Sequence, residues 1–298
     1  MKISALFLAP DGRLRASWRF GLFIPGFGLL AVGLLAPLGF LLGAPNPSDG
    51  IGAKFMVFGV AGAVAAALAA YFLLRWVDRQ SFRTLGLWFY ESWGRELGLG
   101  LAGGLVMLTV VVALLWALGL VAFRPGTLGV PGMLRGAVLY LLVFLPAAAF
   151  EELLFRGYPF QRLVEGPGPF FAVFLLSALF GLVHLRNPSA TALSTTNTVL
   201  IGILLALAYL KTRALWLPLG VHLAWNFFLG FVYSLPVSGL VLPEKMFAVD
   251  ISGPAWLSGG NYGPEGSVIT TGVALTATVW LARTKRLGVS PAQARELG

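Results

Sequence analysis

Cysteine is absent from the 298 residues, so neither a disulfide framework nor thiolate chemistry is available, and nothing follows about compartment. Charge is scarce too: 11% of residues are Asp, Glu, Lys or Arg, against ~25% in soluble domains. Histidine occurs twice. A soluble core cannot absorb a chain that is 58% hydrophobic with mean hydropathy +0.85, and long apolar runs recur along the whole length, so the sequence reads as a polytopic membrane protein. No internal repeat, low-complexity linker or second domain shows, and residues 1–298 read as one integral membrane domain. The opening MKISALFLAPDGRLRASWR has too short an apolar stretch before Pro10-Asp11-Gly12 for a signal peptide.

The apolar runs predict an all-α helix bundle with about eight transmembrane helices, at roughly 19–43, 52–76, 97–122, 134–158, 169–185, 195–210, 214–235 and 267–283. The fifth and sixth are short for a bilayer, which implies a tilted, recessed or broken helix. A net charge of +9 would suit a nucleic-acid partner, but its distribution excludes one. With both termini cytoplasmic, 16 of the 21 basic residues fall on the cytoplasmic side and only Lys54, Arg124, Arg135, Arg186 and Lys245 fall outside. The basicity is the positive-inside asymmetry of membrane proteins.

Against this background the ionisable residues inside spans stand out, because each costs several kcal/mol in hydrocarbon unless paired or wetted. Glu151 and Glu152 come late in the fourth span, His184 ends the fifth and His222 lies in the seventh. Arg156 follows Glu152 by four residues and shares its helix face, whereas Glu151 is rotated by ~100° and points elsewhere. Each has a bland use on its own: a snorkelling ion pair, a packed imidazole, or, for Asn226 one turn after His222, interhelical hydrogen bonding. Together they argue for one site. Ser177, seven residues before His184, is poorly placed for a Ser–His pair, and neither a GxSxG elbow nor an HExxH helix occurs. What remains is a carboxylate and an imidazole that activate water, with a second histidine and an asparagine as donors to a developing oxyanion. The same atoms admit a metal instead, since two histidines and a glutamate make a three-ligand catalytic zinc set.

EELLFR (Glu151–Arg156), FGLVH (Phe180–His184) and HLAWN (His222–Asn226) follow the patterns EExxxR, FxxxH and HxxxN in order on successive apolar segments. In this the sequence resembles the CPBP family of intramembrane proteases, which includes the type II CAAX prenyl endopeptidase and bacterial relatives of the Abi type, some linked to bacteriocin immunity. DRQSFRTLGL (Asp78–Leu87) resembles an element that precedes the core in bacterial members. The resemblance implies a protease-like core over 130–235, in which Glu151 and His184 activate water and His222 and Asn226 form the oxyanion hole. Glu152, Arg156 and Phe180 would support them. It further implies an endopeptidase in the cytoplasmic membrane of a prokaryote, acting on a peptide or protein substrate, lipidated in the CAAX case. The family is often called metalloprotease; no cofactor is favoured here, with zinc on His184, His222 and Glu151 as the alternative.

Two other functions use such residues: a proton-coupled transporter, against which stands the lack of repeat symmetry, and a non-catalytic immunity or scaffold protein. One geometric tension remains. At 1.5 Å per residue Glu151 lies ~13 Å above the inner end near Phe160, but His184 lies ~24 Å above Gly168. A shared water therefore needs a fifth span that starts deeper or tilts, and the polar run RNPSATALSTTN after His184 suggests a recessed helix end beside a wet cavity. Trp18, Trp76, Trp88, Trp93 and Trp216 read as interfacial anchors. The outer loop 236–266 reads as a partly ordered cap without assigned function, and the tail 284–298 as solvated.

Overall fold

Backbone polar groups have no water to bond in a bilayer, so an apolar chain must satisfy them within helices. The computed structural model, which describes residues 4–43 and 52–297, is built almost wholly of them. In chain order they are α1 (Ser4–Phe7), α2 (Ala16–Leu42), α3 (Ala53–Phe72), α4 (Trp93–Ala117), α5 (Val130–Phe155), α6 (Tyr158–Glu165), α7 (Pro169–Val183), α8 (Ala192–Thr212), α9 (Trp216–Phe227), α10 (Ala255–Ser258), α11 (Val268–Arg283) and α12 (Pro291–Leu297). All eight expected spans are helical, as a polytopic all-α bundle requires. Lys2, counted above with the cytoplasmic charges, lies outside the described residues.

Among the described residues six helices are long and apolar enough to cross a membrane, while Trp216–Val232 and Val268–Arg283 are shorter. The short spans are thus the seventh and eighth rather than the fifth and sixth. The sixth gains length at both ends because Thr191 and Ser194 cap α8 reciprocally and the helix continues through the polar Lys211-Thr212.

The fourth span, expected over 134–158, gives way at Gly157. The fourth span breaks there: a Cβ on Gly157 would sit 2.3 Å from the Leu153 carbonyl oxygen, and α6 restarts with Pro159 in its first turn. Residues 158–163 therefore belong to a separate, buried helix and do not extend α5 downward.

Close backbone contact seats the helix that carries HLAWN. A Cβ on Gly104 of α4 would lie 2.5 Å from the Val221 carbonyl oxygen, and one on Gly220 of α9 would lie 2.5 Å from that of Leu97. Only small residues permit this approach, the usual device of packed membrane helices. On the far side α9 packs against α5, with Tyr140, Phe144 and Leu223 in one apolar cluster.

Both ends of the bundle are more ordered than expected. In the outer loop, β1 (Val121–Pro125) pairs antiparallel with β2 (Phe247–Ile251), from Val121 opposite Ile251 to Pro125 opposite Phe247. Leu235, Leu242 and Tyr262 are buried. The tail is exposed along much of its length but anchored at one point: Gln293 is fully buried, donates to the carbonyls of Arg213 (3.0 Å) and Thr84 (3.3 Å), and accepts from Trp88 Nε1 (2.9 Å). Exposed helix-end carbonyls need such partners, and one amide supplies them.

Candidate active site

Helix periodicity turns Glu151 and Glu152 of α5 in different directions, yet both meet His222 of α9. Glu152 Oε1 lies 2.8 Å from His222 Nδ1, and Glu151 Oε2 lies 3.6 Å from His222 Nε2. Glu151 Oε2 also lies 3.9 Å from His184 Nε2, at the C-terminal end of α7. The residues expected to share a site therefore do lie together.

The supporting contacts fix both rings. The Phe180 carbonyl lies 2.7 Å from His184 Nδ1, and since a carbonyl only accepts, Nδ1 carries the proton. The lone pair of His184 is then on Nε2, facing Glu151. A carboxylate likewise only accepts, so His222 Nδ1 is a donor to Glu152. Glu152 Oε1 takes a second hydrogen bond, from Arg156 Nη1 at 3.1 Å, and both partners are about 1% exposed. Arg156 donates further to the Gly202 carbonyl (3.1 Å) and lies 4.4 Å over the Phe180 ring, which itself contacts His184 (4.7 Å between centroids) and His222 (6.1 Å). Phe180 thus props both imidazoles with its ring and one of them with its backbone.

A cavity of about 160 Å³ opens against these groups, lined by Glu151, His184, His222 and Asn226 together with Phe180 and Trp225. One water needs roughly 10–15 Å³ on this measure, so there is space for water and part of a substrate. Glu151 Oε2 is buried with no hydrogen-bond partner, the condition of an acceptor awaiting a donor. Zinc would need Zn–N of ~2.0–2.1 Å from both rings and Zn–O of ~2.0–2.2 Å from the carboxylate. Both Nε2 atoms lie within 4 Å of Oε2, but among the described residues no group of three His, Cys, Asp or Glu is arranged to hold a metal. Ser177 is buried away from the cavity, and its Oγ has no hydrogen-bond partner.

The outer loop contributes a wall that sequence reasoning left without a role. Glu265 lines the cavity, accepts from Trp225 Nε1 (2.9 Å) and Ser238 Oγ (2.9 Å), and accepts a further short bond from Ser238 N. Burial pushes its carboxyl above the usual range, opposed by these hydrogen bonds and by the nearby His184. Asn197 of α8 locks the loop in place: Nδ2 donates to the Glu265 (2.7 Å) and Ser267 (2.8 Å) carbonyls, while Oδ1 accepts from Thr271 (2.6 Å). The available signal was a lone carboxylate just before the last span, together with an asparagine inside a span.

Two comparisons bear on this site. Residues 133–228 match the family model "Type II CAAX prenyl endopeptidase Rce1-like". The chain is also 25% identical over 219 residues to the Bacillus subtilis (strain 168) protein named "Putative membrane peptidase YdiL", covering 70% of this chain and 84% of that one. The matched segment contains α5 through α9 almost entire, and with them all three motifs and every residue that meets at Glu151. The resemblance read from EELLFR, FGLVH and HLAWN is thereby borne out: residues 133–228 are similar to the Rce1-like family model.

Proposed function

We propose that the protein is an intramembrane endopeptidase that hydrolyses peptide bonds of membrane-associated peptides or proteins, with 130–235 as its catalytic core. The observation that carries this reading is Glu151 Oε2, buried, unpartnered and within 4 Å of the Nε2 atoms of both histidines beside a cavity. A water bound there has Glu151 and the His184 lone pair as acceptors. One of them takes a proton as the water oxygen attacks the peptide carbonyl carbon, and the same proton is then delivered to the departing amine. Asn226 offers amide N–H groups to the carbonyl oxygen as it gains charge. With Nδ1–H committed to Glu152, His222 donates from Nε2 only when both its nitrogens carry protons; the carboxylates of Glu152 and Glu151 then face one N–H each. Glu152 and Arg156 hold His222 in place and do not touch the substrate.

The zinc alternative uses Glu151, His184 and His222 as ligands but leaves Asn226 without work, and on that ground the metal-free reading is preferred. Cleavage of membrane peptides by purified protein separates a peptidase from a transporter or a scaffold. A chelator arm separates the two chemistries: unchanged cleavage supports activated water alone, while loss restored by one equivalent of Zn²⁺ replaces it by the metal mechanism.

A further inference from the structure

Beside α6 and the C-terminal end of α8, and lined by none of the residues of the catalytic cavity, lies a second polar cavity of about 260 Å³. Arg162, Arg213, Gln80, Gln161 and Glu165 line it. Its charge does not cancel. Arg19 and Arg162 are matched by Asp78 and Glu165: Arg19 Nη1 donates to Asp78 at 2.6 Å and its Nη2 to Glu165, while Arg162 Nη1 lies 3.0 Å from Glu165 and 3.4 Å from Asp78. Those four form a neutral set. Arg213 is left over, half-buried and without a carboxylate partner among the described residues.

Arg162 is 95% buried, yet among the described residues its guanidinium makes ion pairs only through Nη1, and neither Nε nor Nη1 has a hydrogen-bond partner of good geometry. An arginine carries five N–H donors, and leaving several unmet in a buried place is costly. The backbone points the same way. Arg213 closes α8 in the left-handed conformation (φ 53°), where glycine is the cheap choice. The helix dipole favours any cation there, but a dipole alone does not call for one turned into a half-buried cavity beside a second arginine.

We infer that this cavity is a binding site for a phosphate-bearing anion, held by Arg213 and Arg162 with amide support from Gln80. Guanidinium groups suit phosphate because their planar N–H pairs match two oxygens at once. Two sources carry this chemistry: the headgroup of an anionic phospholipid in the leaflet on this side, and free phosphate in solution. The site is separate from the peptidase reading and does not depend on it.

The test uses the purified full chain in a neutral detergent, with thermal unfolding and native mass spectrometry as readouts. The probes are phosphatidylglycerol, phosphatidylcholine, and inorganic phosphate against chloride at equal ionic strength. Arg213→Gly removes the charge while suiting the positive φ, so the fold is kept; Arg213→Lys keeps the charge. Phosphatidylglycerol or phosphate is expected to raise the melting temperature of the wild type beyond phosphatidylcholine or chloride. Arg213→Gly should weaken that binding ~10-fold or more, the loss of one charge-assisted contact, and Arg213→Lys should restore part of it. An effect of phosphatidylglycerol alone identifies a lipid site, and an effect of phosphate alone identifies a soluble anion. Equal behaviour of all probes, or undiminished binding to Arg213→Gly, would overturn the inference.

Discussion

Glu152→Gln separates support from chemistry. Oε1 of Glu152 accepts from Arg156 Nη1 at 3.1 Å and from His222 Nδ1 at 2.8 Å, with Glu152 and Arg156 each about 1% exposed. Glutamine preserves the shape and one acceptor but leaves the Arg156 guanidinium a buried cation without a carboxylate on Glu152's side, facing neutral groups such as the Gly202 carbonyl and the Phe180 and Phe155 rings. Breaking a buried pair from one side costs about 3–5 kcal/mol, and the retained contacts place this change at the lower end. The exposed pair of Arg124 and Asp250 is the control: Arg124→Gln should cost about 1 kcal/mol at most. At roughly 2 °C or more per kcal/mol, thermal unfolding of Glu152→Gln should occur at least ~6 °C below wild type, and that of Arg124→Gln close to it. A Glu152→Gln protein as stable as wild type but devoid of activity would refute the assignment and exchange the roles of the two glutamates.

Glu151→Gln and His184→Ala should each lower cleavage by ~10²-fold or more, and the double variant should be little worse than either, since both act on one water; fully additive losses would separate them. Asn226→Ala should lower kcat by ~10²–10³-fold with KM nearly unchanged, so an effect confined to KM would move Asn226 from transition state to substrate binding. Because burial raises the Glu265 carboxyl, the folded state keeps its proton where the unfolded state has lost it, and that share of stability fades as pH rises past the ordinary carboxylate value. Glu265→Gln lacks this titration, so its stability deficit against wild type should narrow with rising pH in urea or thermal melts; a deficit independent of pH would contradict the placement of Glu265. Gly104→Leu should push α9 off α4 and abolish cleavage with lowered stability, because its Cβ alone would lie 2.5 Å from the Val221 carbonyl; a variant with wild-type rate would show that α9 has room to spare.

How much of this was legible beforehand follows from which features repeat locally. Apolar runs long enough for a membrane marked every spanning helix, and EELLFR, FGLVH and HLAWN marked the residues that meet at Glu151, because an ionisable group inside hydrocarbon is conspicuous by its cost. The end of the fourth span near Gly157 was legible, since the span reads as 134–158; the separate buried helix Tyr158–Glu165 was not, because apolar character runs on through Tyr158–Phe160 and periodicity does not report a turn within it. Glu265 was hidden for another reason. It reaches the cavity through an irregular loop whose path is set by hydrogen bonds to Trp225, Ser238 and Asn197, contacts with no spacing in the sequence. Gln293 of the tail and the Arg19–Asp78–Arg162 network are long-range pairings of the same kind.

The central claim is that Glu151 turns a water against a peptide bond. Purified wild-type protein and Glu151→Gln, each in lipid vesicles with a mixture of membrane peptides in ¹⁸O-labelled water, test it most directly by mass spectrometry of the products. The account predicts new carboxyl termini carrying ¹⁸O in the wild-type sample and ~10²-fold fewer with Glu151→Gln. Equal labelled products from both proteins would contradict it, as would a wild-type sample that leaves every peptide intact.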